Sequence, residues 1–263
     1  MADPVLTGTD ARGVATVTLN RPDVHNAFDD PTIAALTEAF ERLGADETVR
    51  AVVLTGAGKS FSAGADLNWM RAMAAYSMEE NRADADRLAA MLHALDELPR
   101  PTVARINGGA FGGAVGLIAA CDIAIAADRA TFGITEVRLG LIPAVISPYL
   151  LRAVGPRTAR RYALTGERFD AAAALAMGLV HEAVPESALD DAVAAILDAL
   201  LCGAPGAQAD AKRLVREVCP ADRIDAVVRA DTARRIAARR ATAEAREGMA
   251  AFFDRRGPDW AKD

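Results

Sequence analysis

Five glycines, Gly108, Gly109, Gly112, Gly113 and Gly116, fall within the stretch VARINGGAFGGAVGLIAACDIAI from Val103 to Ile125. A turn with so little side chain lets backbone N–H groups come within hydrogen-bonding distance of a ligand. A Walker A phosphate loop would need a glycine five residues before Gly58 of Gly58-Lys59-Ser60, and Val53 stands there inside an apolar run. A dinucleotide fingerprint needs G-x-G-x-x-G opening a helix; Gly109-Ala110-Phe111-Gly112-Gly113 has another spacing, and the first strand is followed by Asn-Arg-Pro. The serine-hydrolase elbow G-x-S-x-G is absent from the sequence. An oxyanion hole fits better. A second small-residue turn, Phe61-Ser62-Ala63-Gly64-Ala65-Asp66, also follows an apolar run, and two converging N–H groups can hold the enolate oxygen of a thioester. Two ordinary βα turns, packed with small residues, would carry the same pattern.

The elements around these turns must position them. Residues 13–19 alternate like a strand, and NRPDVHNAFDDP after them is turn-rich. Pro31 opens a helical pattern of Ile33, Leu36, Phe40 and Leu43 that ends near Gly44. AVVLTG (51–56) is a continuous apolar run suited to a strand buried on both faces. A polar helical region over roughly 66–98 breaks at Tyr76-Ser77, and Leu88, Met91, Leu92 and Leu95 repeat in its second part. Pro99 and Pro101 stop it, TVARI leads into the glycines, and CDIAIAA is the next strand. A short strand ATFG, a turn of helix at Glu136, and a loop and helix start set by Pro143 and Pro148 follow. RTARRYALTG and DAAAALAMG read as helices closed by Gly166 and Gly178, and LVHEAV as a last strand. From Glu186 the chain reads helical, broken at GAPGA (203–207) and CPAD (219–222). Alternating strands and helices predict an α/β class with a parallel core. The expected organisation is an α/β core holding the ligand site over 1–200 and a helical oligomerisation region over 201–263.

At 263 residues, 52% hydrophobic and 25% charged, the chain suits one large globular domain with a helical appendage. Its net charge of −6 argues against a nucleic-acid binder, which would carry a basic footprint. The tail differs, with 13 Lys/Arg against 10 Asp/Glu over 201–263. Solvated helix faces explain that balance, as do arginines meeting an anionic ligand or a neighbouring subunit. Cys121, Cys202 and Cys219 form no CxxC pair, and Cys121 in an apolar strand reads as a small core residue. MADPVLTGTD carries no basic-then-apolar leader, and no apolar run approaches the roughly 18 residues of a membrane span. A cytoplasmic protein, with neither membrane nor nucleic acid as partner, is expected.

NRPDVHNAF, VVLTGAGKSFSAGADL, PTVARINGGAFGGAVGL, ACDIAIA, ATFGITEVRLGLIP and RYALTGERFDAAAALAMGLVHEAV occur in this order within about residues 13–255. Together they resemble the enoyl-CoA hydratase/isomerase (crotonase) superfamily. The resemblance implies a crotonase-like spiral of ββα units with a C-terminal helical region that trimerises, often into a hexamer. It also implies an acyl-CoA thioester substrate with no metal or redox cofactor, coenzyme A being part of the substrate. Carried over by position, the oxyanion-hole N–H groups fall on Ala65 and Gly113, and a catalytic acid on Glu136. His25, Asn26, Ala27 and Phe28, with Ser62, Ala63, Asp66, Leu67 and Gly112, match the family's coenzyme A contacts and approach to the thioester. Arg255 and Arg256 lie near where the family often places a basic residue for a coenzyme A phosphate of a neighbouring subunit. They read equally as part of a solvated helix, and Glu136 as a carboxylate capping a helical turn.

The resemblance also exposes a gap. Hydratases of this family use two glutamates, and the first would stand at Gly116. Glu136 alone can shuttle a proton between Cα and Cγ, which is Δ3,Δ2-enoyl-CoA isomerase chemistry. It can instead hydrate with help from the substrate or another side chain, or serve other enolate chemistry. DLNWMRAMAAYSMEEN, and LIPAVISPYLLRAVG in place of a more usual glycine-rich stretch, resemble the bacterial branch that hydrates 3-methylglutaconyl-CoA and isohexenylglutaconyl-CoA. That branch serves leucine and acyclic terpene catabolism. Its substrates carry a distal carboxylate, for which a missing acid would leave room. The expected activity is therefore that of an acyl-CoA lyase, an enoyl-CoA hydratase. A single-glutamate isomerase is the alternative, and a family member that binds acyl-CoA or RNA with little turnover is the rival outside enzymology.

Overall fold

The computed structural model describes residues 3–219 and 223–261. Its main sheet has the spatial order β1 (Val5–Thr9), β2 (Val14–Leu19), β3 (Ala51–Gly56), β4 (Thr102–Ile106), β6 (Ile123–Ala127) and β9 (Glu182–Val184). β1 pairs antiparallel with β2, and every later pairing in this sheet is parallel. Pleating sends alternate residues of a strand to opposite faces. Val52 and Leu54 of β3 join Val17, Leu19 and Ile106 in the larger core. Ala51 and Val53 join Val14, Val103 and Ile125 on the other face, beneath Leu189, Val193 and Leu197 of α7 (Leu189–Cys202). This two-sided burial is the physical content of the unbroken run AVVLTG.

The larger core is roofed by α1 (Asp30–Ala45), α3 (Met78–Asp96), α4 (Gly113–Ala120) and α5 (Ser147–Thr165). Asp29 caps α1 by accepting the Thr32 N–H, Pro31 sits in its first turn, and Ile33, Leu36, Phe40 and Leu43 point inward. Ser77 and Glu80 form a reciprocal capping box at the start of α3, which separates it from α2 (Leu67–Met73). α5 bends where Gly155 meets Pro156. After α6 (Ala171–Ala176) and α7 come α8 (Pro205–Val218), α9 (Ala226–Arg240) and α10 (Ala243–Asp254). Positions 220–222 of the expected CPAD break lie outside the described residues. Arg50 fastens this tail to the sheet, donating to the carbonyls of Trp260, Leu201 and Gly203 at 2.7, 3.1 and 2.9 Å.

Three strands fall outside the sequence expectation. β1 is largely exposed and carries Gly8, so it lacks a two-residue hydrophobic period. β5 (Ala110–Phe111) and β8 (Arg168–Asp170) are too short to show any period. With β7 (Thr131–Gly133) they form a second sheet, parallel between β5 and β7 and antiparallel between β7 and β8. The parallel core predicted from alternation is thus extended by antiparallel pairs at both places. No single helix among the described residues is long and apolar enough to cross a membrane.

Candidate active site

The second sheet exists where the two small-residue turns meet. The Ser62 N–H donates to Gly109 O at 3.1 Å, and the Phe111 N–H donates back to Ser62 O at 3.1 Å. The loop after β2 is bridged to the first turn in the same manner, with Phe28 N–H on Gly64 O and Asp66 N–H on Phe28 O, both at 2.7 Å. Gly64 is required at the crossing: its φ is +84°, and a Cβ there would lie 2.6 Å from Phe111 O. This pairing takes the Gly64 carbonyl and the Asp66 N–H and leaves the Ala65 N–H between them free. Neither the Ala65 nor the Gly113 N–H has an acceptor among the described residues. Gly113 is the first residue of α4, so its N–H is one of the unsatisfied donors at the positive end of the helix.

The loop before these turns is held by its own polar side chains. Asn26, with φ +57°, donates from Nδ2 to Ala57 O and Ser60 O at 2.9 and 2.8 Å, and its Oδ1 accepts the Arg21 N–H at 2.9 Å. Ser62 Oγ donates to Asn26 O at 2.7 Å and accepts the Gly64 N–H at 3.2 Å. The Ala63 N–H donates to His25 O at 2.8 Å, and His25 Nδ1 lies 3.1 Å from Ser60 Oγ. Asp66 caps α2 by accepting the N–H groups of Asn68 and Trp69, and pairs with Arg21 at 3.1 Å. Burial works to raise its pKa, but those N–H groups and the guanidinium outweigh burial and hold the carboxyl below its ordinary value. Ala27 and Phe28 are buried, whereas His25 and Leu67 face solvent. The polar atoms of Asn26, Ser62 and Asp66 are therefore committed within the protein, and what the loop offers a ligand is its backbone.

Glu136 opens the 3-10 turn after β7. Its Oε1 lies 3.4 Å from where a Cβ on Gly112 would be, and its Oε2 is buried without a hydrogen-bond partner. Desolvation pushes its pKa above that of an ordinary glutamate, and its own backbone N–H offsets this only in part. A capping role would leave the carboxylate hydrogen-bonded to N–H groups ahead of it in the turn, but the turn begins on Thr135 with no side-chain cap. The arrangement sets a desolvated carboxyl against Gly112, the residue before the free N–H of Gly113.

Position 116 is not an open space. A Cβ added to Gly116 would lie 2.8 Å from Ile146 Cβ, closer still to its Cγ2, and 3.6 Å from Leu92 Cδ1. The room expected for a distal carboxylate is filled by side chains that are 2% and 0% exposed. This corrects the expectation: the missing acid is replaced by a dry apolar wall. Arg255 ends α10 with φ +55°, and Arg256 is engaged by Glu247 at 2.6 and 2.8 Å. Sequence reasoning missed Arg21, read only as part of a turn, although it pairs with both Asp29 and Asp66 and donates to Ala27 O. It also missed Ile146, for which the replaced glycine-rich stretch was the available signal.

Paired turns with two free N–H groups, set beside a desolvated carboxyl, define a site that can stabilise a thioester enolate and exchange its proton. The profile of the enoyl-CoA hydratase/isomerase family matches residues 9–263. The crystal structure of an enoyl-CoA hydratase from Shewanella pealeana has a TM-score of 0.94 and 45% identity, covering 98% of this chain and 96% of that one. A Thermus thermophilus protein provisionally named as an enoyl-CoA hydratase is 37% identical over 245 residues, 93% of this chain and 96% of its own. A 4-chlorobenzoyl coenzyme A dehalogenase from Arthrobacter is 36% identical over 207 residues, 78% of this chain and 75% of its own. The chain belongs to the enoyl-CoA hydratase/isomerase family and has its crotonase fold, with the helical C-terminal region in place. It is an enzyme of acyl-CoA thioesters. That a dehalogenase shares the likeness means the reaction must be argued from the site's residues.

Proposed function

We propose that this chain adds water reversibly to the double bond of a 2-enoyl-CoA of the 3-methylglutaconyl type. The N–H groups of Ala65 and Gly113 take the thioester oxygen as it gains charge, and Glu136 exchanges the proton at Cα. Coenzyme A runs along residues 25–28 and 62–67, and no metal or redox cofactor is invoked. The reading rests on Glu136, a buried carboxyl set against Gly112, the residue before the free N–H of Gly113. With an apolar wall where a second glutamate would stand, Glu136 has both tasks, taking a proton from the attacking water and returning it to Cα. The 3-methylglutaconyl type of substrate rests on the sequence resemblance, since Ile146 and Leu92 fill the space beside Gly116. Relatives named as enoyl-CoA hydratases support the water-addition half.

A second reading draws on the same wall. Dry side chains at that position disfavour water and leave Glu136 as a lone shuttle between Cα and Cγ, as Δ3,Δ2-isomerisation requires. A turnover panel of crotonyl-, 3-enoyl- and 3-methylglutaconyl-CoA, with products weighed by mass spectrometry, separates the two. Water gain fastest on 3-methylglutaconyl-CoA supports the first. Crotonyl-CoA hydrated far faster sinks it, equal-mass conversion of the 3-enoyl ester favours the isomerase, and no turnover favours an acyl-CoA-binding protein. We assign the helices after 201 to subunit contacts in a cytoplasmic homotrimer or hexamer; exposed Phe252 and Phe253 on α10 support that assignment.

A further inference from the structure

Resting on the one-carboxylate reading above, we infer that Gly116 and Ile146 are a reciprocal pair, and that Ile146 decides whether the site holds one carboxylate or two. Two places that the sequence resemblance singles out, Gly116 and LIPAVISPYLL, stand far apart in the sequence. In the fold they are one contact. Gly116 sits in the second turn of α4, and its missing side chain would point at the start of α5, where Ile146 precedes the first residue, Ser147. Ile146 cannot swing aside cheaply. It is 2% exposed, its carbonyl accepts the Leu150 N–H at 3.0 Å, and fully buried Leu92 closes the third side. The first atom of any side chain at 116 already falls inside van der Waals contact, before a carboxyl has been placed. A glutamate there would also leave its charge among Ile146 and Leu92 without a partner. The space beside Gly116 on α4 is therefore filled from α5, and its lining is apolar.

The pair is tested in the purified full-length chain by melting temperature and by crotonyl-CoA hydration. Gly116→Ala is the sensitive probe, because alanine in an open helical position raises stability over glycine. Against Ile146 it should instead lower the melting temperature by roughly 3–10 °C, the range for an overpacked core. In an Ile146→Gly background the same change should raise it. Gly116→Glu alone should show no gain in crotonyl-CoA hydration, while Gly116→Glu with Ile146→Gly should gain at least ~10-fold, below the usual worth of a general acid or base. Additive melting shifts, or a rise with Gly116→Ala alone, overturn the pairing whatever the substrate is. A folded double variant without the gain overturns Ile146 as the obstacle to a second acid. Failure of the substrate panel, by contrast, leaves the melting cycle intact and refutes only the substrate reading.

Discussion

Glu136 Oε1 lies 3.4 Å from the point a Cβ on Gly112 would occupy, so the carboxyl rests on bare backbone one residue before the Gly113 donor. The buried carboxyl and the free N–H are thereby brought together from two turns, one after β7 and one after β5, which the pairing of those strands holds side by side.

Glu136→Gln keeps the shape of the side chain and removes its exchangeable proton. Turnover should fall at least ~10²-fold, the lower range for a general acid or base, while acyl-CoA affinity by calorimetry is unchanged. A variant with normal kcat would remove Glu136 from the mechanism.

Burial raises the pKa of Glu136 above the ordinary 4.5, so the folded chain prefers the protonated form. The stability this preference contributes is complete below the unfolded value and lost as pH rises through the folded one. The melting temperature of Glu136→Gln minus that of the parent should therefore grow as pH rises through this range, and the limb of the parent's pH–rate profile above 4.5 should vanish in the variant. Parallel melting curves across the range would contradict a desolvated carboxyl.

Gly113→Pro deletes one N–H at the first position of α4, a place where helices accept proline. Rate should drop roughly 10²–10³-fold, as when one oxyanion donor is lost, with the helical circular dichroism retained. An active, folded variant would show that the Gly113 N–H carries no developing charge.

Asp66 follows the Ala65 donor and caps α2 while pairing with Arg21. Asp66→Ala should cost about 0.5–2 kcal/mol, the range for a lost cap, and lower kcat/KM by loosening Ala65. Asp66→Asn keeps a capping oxygen, so it should recover most of the stability and less of the rate. Equal stability of the two variants in urea melts would show that the cap is immaterial.

The periodic elements were legible because each encodes its own burial. Ile33, Leu36, Phe40 and Leu43 describe the inner face of α1 without reference to any other segment. The glycine turns were legible as close approaches of backbone, since Gly64 and Gly113 leave room that other residues would fill. β5 and β8 were not legible, because two or three residues gain their strand character only from the partners they meet. Nor was the wall beside Gly116: glycine records that a side chain is missing, but only the fold tells which neighbour has moved in. Arg21 was hidden for the same reason, its partners Asp29 and Asp66 lying on two other segments.

The contact between Gly116 and Ile146 also constrains how such a site can change. A side chain added at the first position crowds isoleucine at the second, so the effects of substitutions at the two are coupled and not independent. In this scaffold the residue at the start of α5 thus sets the cost of any side chain on the facing turn of α4.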